Sequence, residues 1–126
     1  MALVHHELCF GCGRTNLFGL LLEVDEAAPG AVAGRCFIKQ DHQGPDRGTA
    51  HEGVLAAALI DAMAFACGPD ARVSAFEIAY SGSAPVGAYV EIEARVEHRD
   101  GLSADATATA RAEERMVAEA RGRYRL

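Results

Sequence analysis

A single carboxylate, Asp61, interrupts an otherwise apolar stretch at residues 53–67. A long stretch of this kind is typical of a helix that is buried on every face. A buried carboxylate costs several kcal/mol unless it has a partner, and burial disfavours its charged form. A general base that works near neutral pH needs this property. We therefore predict that Asp61 activates water or attacks a carbonyl directly. A carboxylate that caps the backbone or pairs with an arginine is the structural alternative.

The start of this helix is the second feature that could do chemistry. Thr49 is the predicted N-cap, and Glu52 three residues later completes a capping box. The free N–H groups of Glu52, Gly53 and Val54 would lie at the positive end of the helix dipole and could stabilise an oxyanion. A simple cap is the alternative. Glu52 could also act as a second acid, and His51 could orient a loop or contact a substrate.

Two cysteines near the N-terminus, Cys9 and Cys12, form a Cys-x-x-Cys pair that follows His5 and His6. The pair suggests zinc, but a structural zinc site needs four ligands and the sequence holds only one such pair. A tight glycine turn with small buried thiols explains the same residues. We therefore predict no metal site. The pair also lacks the strand and helix context of a redox motif.

The pattern of the remaining residues predicts an α+β domain with one helix, spanning residues 1–126. Gly68 and Pro69 end the helix. Leu102 and then an alanine at every second position to Ala112 form one strand face, which lets another element come close. We predict that the helix packs against this face. The predicted strands are residues 20–26, 31–39, 72–80, 88–99, 102–112 and 116–126.

Composition excludes several classes of function. The chain of 126 residues has a formal net charge of −6, which argues against nucleic acid and against a polybasic membrane contact. The longest apolar run, residues 54–60, is far too short to span a bilayer. The first eight residues lack an apolar signal core. We expect a cytoplasmic protein with reduced cysteines.

Three segments resemble the hot-dog fold acyl-CoA thioesterases, in particular the branch of phenylacetic-acid-degradation thioesterases. They are the CFGCG motif at residues 9–13, the segment that begins with HQGP at 42–45 and continues through HEGVLAA at 51–57 to Asp61, and the strand and turn at 79–87. Two positions differ from the family pattern. Glu52 replaces a glycine, and Asp61 lies one residue farther from His51, a rotation of roughly 100° around a helix.

The resemblance implies a hot-dog fold, in which a curved antiparallel sheet of about five to six strands wraps one long helix. It implies hydrolysis of an acyl-CoA or acyl-carrier thioester in a homodimer or homotetramer, with sites between subunits and no cofactor beyond the CoA of the substrate. We expect Asp61 to lie beside the positive end of its own helix. The candidate catalytic residues are Asp61, Glu52, Gly53 and His51. The candidate substrate-binding residues are His42, Gly44, Val54, Ser81, Gly82 and Ser83.

Other interpretations remain open. Ser81 and Ser83 are also typical turn residues. Arg47 and the three arginines at 121, 123 and 125 could meet CoA phosphates, and a solvated strand face explains the three equally well. A hot-dog dehydratase or isomerase would need His51 or His42 close to Asp61. A non-catalytic acyl-CoA binding domain would keep the pocket without turnover.

Overall fold

One antiparallel sheet wraps around a single long helix in the computed structural model, which describes residues 2–126. The elements are β1 (Glu23–Ala28), β2 (Ala31–Phe37), a 3-10 turn (Gln40–His42), α1 (Glu52–Cys67), β3 (Arg72–Tyr80), β4 (Tyr89–Asp100), β5 (Ser103–Ala112) and β6 (Arg115–Arg125). The sheet order is β1-β2-β4-β5-β6-β3, so β1 and β3 form the two edges. This arrangement is the α+β hot-dog architecture that the resemblance implies.

The face of β5 that meets α1 consists of alanines, as predicted. At most 3% of the surface of each is exposed, and the missing side-chain bulk lets helix and sheet approach closely. These residues are Ala104, Ala106, Ala108, Ala110 and Ala112. Leu102 was expected on the same face but is 84% exposed. It belongs to the turn between the paired residues Asp100 and Ser103, so the strand alternation does not apply to it.

The helix begins after His51, not after Thr49. The Nδ1 atom of His51 accepts a hydrogen bond from the backbone N–H of Gly53 at 2.8 Å, which makes His51 the N-cap. Thr49 instead forms an antiparallel bridge with Pro85. The predicted Thr49 cap and its capping box are therefore wrong, because the bridge holds Thr49 in the preceding loop.

No helix within residues 2–126 has the length and apolar character needed to span a bilayer.

The irregular segment before β1 lies against α1 and the sheet. The backbone N–H groups of Leu20 and Leu22 donate to the carbonyls of Phe10 and Gly11. This pairing within the loop delays the first strand, which begins at Glu23 and not at the predicted residue 20. The segment is thereby folded back on itself before the chain enters the sheet.

Candidate functional site

The carboxylate of Asp61 lies in a cluster with three side chains of the N-terminal segment. The Oδ2 atom of Asp61 is 3.7 Å from Nδ1 of His5 and accepts a hydrogen bond from Sγ of Cys9 at 3.4 Å. Nδ1 of His5 also lies 3.7 Å from Sγ of Cys9 and 3.4 Å from Sγ of Cys12. These four residues are called the Asp61 cluster below. They join two parts of the chain that are distant in sequence.

The Asp61 cluster is partly buried. Cys12 is fully buried, whereas 13% of the His5 side chain and 18% of the Asp61 side chain are exposed. The exposed side meets a cavity of about 230 Å³, whose lining includes Arg72 and Tyr124. The cluster is therefore reached from one side and is closed by protein on the other.

Close packing of the N-terminal loop holds the cluster together. The N–H of Gly13 donates to the carbonyl of Cys9 at 2.9 Å and closes a tight turn around the two cysteines. A Cβ atom at Gly13 would stand 2.6 Å from the backbone nitrogen of Cys9, so the turn needs glycine there. The His5 ring stacks on Phe65 of α1, with ring centroids 4.1 Å apart. The predicted glycine turn is therefore present, and it faces the helix.

The local environment changes the acidity of two members of the cluster. The hydrogen bond to Asp61 raises the pKa of His5, and burial opposes this effect. Burial raises the pKa of the Cys12 thiol to about 12. The Nε2 atom of His5 is buried and has no hydrogen-bond partner among residues 2–126. Nδ1 is thus the ring nitrogen that interacts with polar groups. The four polar groups can share protons or bind a cation, since their ligand atoms all lie within 4.8 Å of one another.

The helix start forms a second, separate polar region. His51 engages two of the three predicted oxyanion donors, because its Nδ1 accepts from Gly53 and its carbonyl accepts from the N–H of Val54 at 2.9 Å. The N–H of Glu52 is the third donor. The carbonyl of Glu52 accepts a hydrogen bond from the hydroxyl of Tyr80 at 2.7 Å. The side chain of Glu52 is exposed and does not form the predicted capping box.

The two polar regions are far apart within one chain. Asp61 lies nine residues after Glu52 in α1, which places it roughly 13 Å farther along the helix axis. The expectation that Asp61 lies beside the positive end of its own helix is therefore wrong. A residue near the middle of a helix is too distant from the terminal N–H groups to share one reacting carbonyl with them.

His42 and Gly44 have structural contacts near the helix start. His42 is buried, its Nδ1 accepts from the N–H of Lys39, and its Nε2 lies 3.3 Å from the carbonyl of Gly19. Burial lowers the pKa of His42. Gly44 packs tightly, because a Cβ atom there would stand 2.8 Å from Cα of His51. Both ring nitrogens of His42 are thus occupied locally, and the structure does not bring them to Asp61.

The predicted substrate-binding residues 81–83 lie in the exposed loop after β3. The Ser81 hydroxyl donates to the carbonyl of Met116 in β6 at 3.1 Å. The same loop passes beside the helix start, because the N–H of Ala50 donates to the carbonyl of Ala84 at 2.8 Å. The loop and the residues around His51 therefore lie at one end of α1.

The arginines of β6 lie on the outer face of the sheet. Arg121 forms an ion pair with Glu77 at 3.0 Å, and Arg123 forms one with Asp105 at 2.9 Å. These side chains are largely exposed. The solvated-face interpretation explains both ion pairs, and neither arginine has a contact with the Asp61 cluster.

Two residues with contacts in these regions, His5 and Tyr80, were not predicted from the sequence as site residues. His5 was considered only as part of a weak zinc pattern, and Tyr80 only as part of a strand. The useful signal for His5 was its position four residues before Cys9. The sequence spacing could not indicate the fourth residue of the cluster, Asp61. Asp61 lies 52 residues after Cys9 and comes close to it only when the chain folds.

Comparison with known families and structures identifies related proteins. Residues 47–119, more than half of the chain, match the family model described as the thioesterase superfamily. A comparison with curated proteins gives no match.

Several solved structures share the fold. A mutant form of the phenylacetic acid degradation protein PaaI from Thermus thermophilus is 29% identical, with a TM-score of 0.76 over 83% of this chain and 93% of that one. Zebra fish thioesterase superfamily member 2 is 27% identical, with a TM-score of 0.72 over 83% of this chain and 80% of that one. The E. coli PaaI protein of the phenylacetic acid degradation operon is 19% identical, with a TM-score of 0.77 over 84% and 79%.

Proposed function

The chain belongs to the thioesterase superfamily, and from this premise we propose that it hydrolyses an acyl thioester at a site formed between two copies of the chain. The observation that carries the proposal is the position of Asp61. Its carboxylate is held at the wall of a cavity, with 18% of the side chain exposed. A carboxylate so placed can contact a substrate while most of its surroundings exclude water.

The need for a second copy follows from the length of α1. The helix start and Asp61 of one chain are roughly 13 Å apart, so one chain cannot present both to a single carbonyl. A homodimer or homotetramer solves this by placing the helix start of one subunit near Asp61 of another. The edge strand β3 pairs with β6 on one side only, and its other edge offers hydrogen-bonding groups to a second copy.

The proposed reaction divides the chemistry between the two polar regions. The N–H of Glu52 and the helix dipole stabilise the negative charge that develops on the carbonyl oxygen. Asp61 accepts a proton from a water molecule, and the water oxygen forms a bond to the carbonyl carbon. The carbon–sulfur bond then breaks, the thiolate leaves and takes up the proton held by Asp61, and a carboxylic acid remains. Tyr80 supports the helix start by donating a hydrogen bond to the carbonyl of Glu52.

The substrate is proposed to be an acyl-CoA. The chain carries a formal net charge of −6, which disfavours an equally acidic acyl carrier protein. The loop at residues 81–83 borders the helix start, where the pantetheine arm of CoA would pass. Because two of the related structures are named for phenylacetic acid degradation, phenylacetyl-CoA belongs in the substrate panel beside straight-chain acyl-CoAs.

The test is a panel of acyl-CoAs incubated with the metal-free protein. Free CoA and free acid are quantified by chromatography, because the four cysteines of the protein would react with a thiol dye. We expect release of CoA from at least one substrate. Asp61→Asn keeps the shape of the side chain and should reduce kcat about 100-fold or more. Glu119→Gln changes an exposed carboxylate of β6 and serves as the matched control.

The outcomes separate the alternatives. Unchanged hydrolysis in Asp61→Asn excludes Asp61 as the base. A changed acyl chain without CoA release identifies a dehydratase or isomerase, and binding without any reaction identifies an acyl-CoA binding domain. Either result overturns the proposed hydrolysis.

A further inference from the structure

We propose that the Asp61 cluster is a tetrahedral zinc site, in which His5, Cys9, Cys12 and Asp61 fasten the N-terminal segment to α1. The metal site shares Asp61 with the proposed hydrolysis, but zinc binding needs neither a substrate nor a second subunit. It also goes against the prediction from sequence, which found only one Cys-x-x-Cys pair where four ligands are needed. The fold supplies the other two ligands.

Four of the six separations between the ligand atoms match the edges of a zinc tetrahedron. Zinc binds sulfur at about 2.3 Å and nitrogen or oxygen at about 2.0–2.2 Å, so the edges of the tetrahedron measure roughly 3.3–3.8 Å. The Oδ2 atom of Asp61 lies 3.4 Å from Sγ of Cys9 and 3.7 Å from Nδ1 of His5. His5 Nδ1 lies 3.7 Å and 3.4 Å from the two sulfur atoms. These four edges fall in this range, and the other two, from Cys12 Sγ to Cys9 Sγ and to the Asp61 carboxylate, are no longer than 4.8 Å.

The donor set favours zinc over harder cations. Two thiolates, one imidazole and one carboxylate suit zinc, whereas magnesium and calcium prefer sites made of oxygen atoms. Two thiolates and one carboxylate carry three negative charges, which a divalent cation reduces to one. A zinc ion thus removes most of the electrostatic repulsion that the three anions would have at these distances.

The surrounding residues are arranged to hold the ligands. The backbone N–H of His5 donates to Sγ of Cys12 at 3.1 Å, an interaction that favours a thiolate. Gly11 packs directly against the Asp61 carboxylate, and Phe65 supports the His5 ring. Such support fixes the orientation of metal ligands. With four protein ligands in place, the site is closed in the way that structural zinc sites are.

A zinc ion in this site has a consequence for the proposed hydrolysis. Both functions use Asp61, and a carboxylate oxygen bound to zinc is a poor base. Bound zinc should therefore inhibit thioester hydrolysis, and removal of zinc should restore it. Zinc binding and hydrolysis can nevertheless fail independently, because binding is measured without substrate.

The experiment uses the full chain, reduced and freed of metal by a chelator. Zinc is titrated against a competing chelator dye, and the metal content after gel filtration is measured by mass spectrometry. We expect one zinc ion per chain and a rise in Tm of roughly 5 °C or more in excess zinc. Cobalt(II) should give the intense visible bands of a tetrahedral site and a thiolate-to-metal absorption in the near ultraviolet.

Variants test the two cysteine ligands. Cys9→Ser and Cys12→Ser should each weaken zinc binding at least about tenfold and remove the thiolate-to-cobalt absorption or reduce it. Cys36→Ser is the matched control, because Cys36 is buried like Cys12 but lies outside the cluster. This variant should bind zinc normally. Cys9 is only half-buried, so Cys9→Ser keeps the test valid if Cys12→Ser does not fold.

Three results would overturn the proposal. They are the absence of stoichiometric zinc, an equal loss of binding in Cys36→Ser and Cys9→Ser, and cobalt spectra without thiolate bands. A disulfide between Cys9 and Cys12 in protein purified with no reductant, combined with no zinc binding after reduction, would identify a redox pair instead.

Discussion

The backbone of Gly11 lies directly against the carboxylate of Asp61, so that a Cβ atom at position 11 would stand 2.6 Å from Cγ of Asp61. Gly11 belongs to the N-terminal loop and Asp61 to the middle of α1. This contact leaves no room for a side chain, and it sets the position of the carboxylate relative to His5 and Cys9. A substitution at Gly11, which has no functional group of its own, can therefore test the role of the Asp61 carboxylate.

Gly11→Ala should displace the Asp61 carboxylate, because the added methyl group and the carboxylate cannot occupy the same space. We expect weaker zinc binding, slower thioester hydrolysis and a loss of stability of about 1–3 kcal/mol. Zinc titration and urea unfolding measure the first and third effects. Gly82→Ala is the control for the zinc titration and for the urea unfolding, since its new Cβ would meet no atom closer than 3.4 Å. Equal zinc affinity in Gly11→Ala and the wild type would contradict this prediction.

The cap of α1 should depend on the side chain of His51. His51→Ala removes the acceptor for the N–H of Gly53 and should lower the free energy of unfolding by about 1 kcal/mol. His51→Asn should restore most of this loss, because an asparagine oxygen can accept the same hydrogen bond. Urea unfolding at neutral pH compares the three proteins. Equal losses in both variants would show that packing of the ring, not capping, stabilises the helix start.

The hairpin between β5 and β6 contains local backbone strain. Its loop residues Glu113 and Glu114 have φ values of 50° and 66°, which non-glycine residues adopt at a cost. A two-residue loop with two positive φ angles favours Asn-Gly. The double variant Glu113→Asn with Glu114→Gly should gain about 1 kcal/mol, a rise in Tm of roughly 4 °C. Replacement of both residues by Gln removes their charges but keeps the backbone strain. This second double variant should therefore show little of the gain in stability.

Stability below pH 6.5 should depend on His42. Burial lowers the pKa of its imidazole from the ordinary value of 6.5, so the folded protein takes up its proton less readily than the unfolded chain. The stability from a neutral His42 is complete above pH 6.5 and is lost as pH falls toward the folded pKa. His5 has a raised pKa and contributes in the opposite direction, since its stabilisation is lost as pH rises. The two effects partly cancel in the wild type.

His42→Gln separates these effects. In metal-free protein, the free energy of unfolding is measured from pH 7.5 to 5.0 for the variant and the wild type. The variant should be less stable at pH 7.5, and the difference should shrink as pH falls. His98→Gln changes an exposed histidine of β4 and should keep the pH profile of the wild type. A constant difference across this range would contradict the prediction.

The alanine face of β5 should tolerate no larger side chain. Ala110 is fully buried, so Ala110→Leu should lower the free energy of unfolding by about 1–3 kcal/mol through overpacking. Thr109→Leu adds a side chain of the same size on the opposite face, where residue 109 is only half-buried, and should have a much smaller effect. Thermal unfolding compares the two. Similar losses would mean that the helix does not limit the space above β5.

Most of the architecture can be predicted from the amino-acid sequence, because strand and helix patterns are local. The alternation in β4 and the alanines of β5 identify the face toward the helix, and the apolar run ending at Gly68 identifies α1. Such patterns repeat every two residues in strands and every 3.6 residues in helices. They can be recognised without knowing which element each strand or helix packs against. The errors at Leu102 and Thr49 arose where a turn and a bridge to Pro85 replaced the local preference.

The surroundings of Asp61 depend on contacts that form only when the chain folds. Cys9 and Cys12 are close in sequence, but their partner in α1 comes 52 residues after Cys9, and no periodicity connects the two. The N-terminal segment reaches the helix because Gly11 has no side chain that would collide with the carboxylate of Asp61. The folded chain also separates Asp61 from its own helix start by more than a full helical turn. Contact between distant side chains is a property of packing, and packing depends on the whole chain at once.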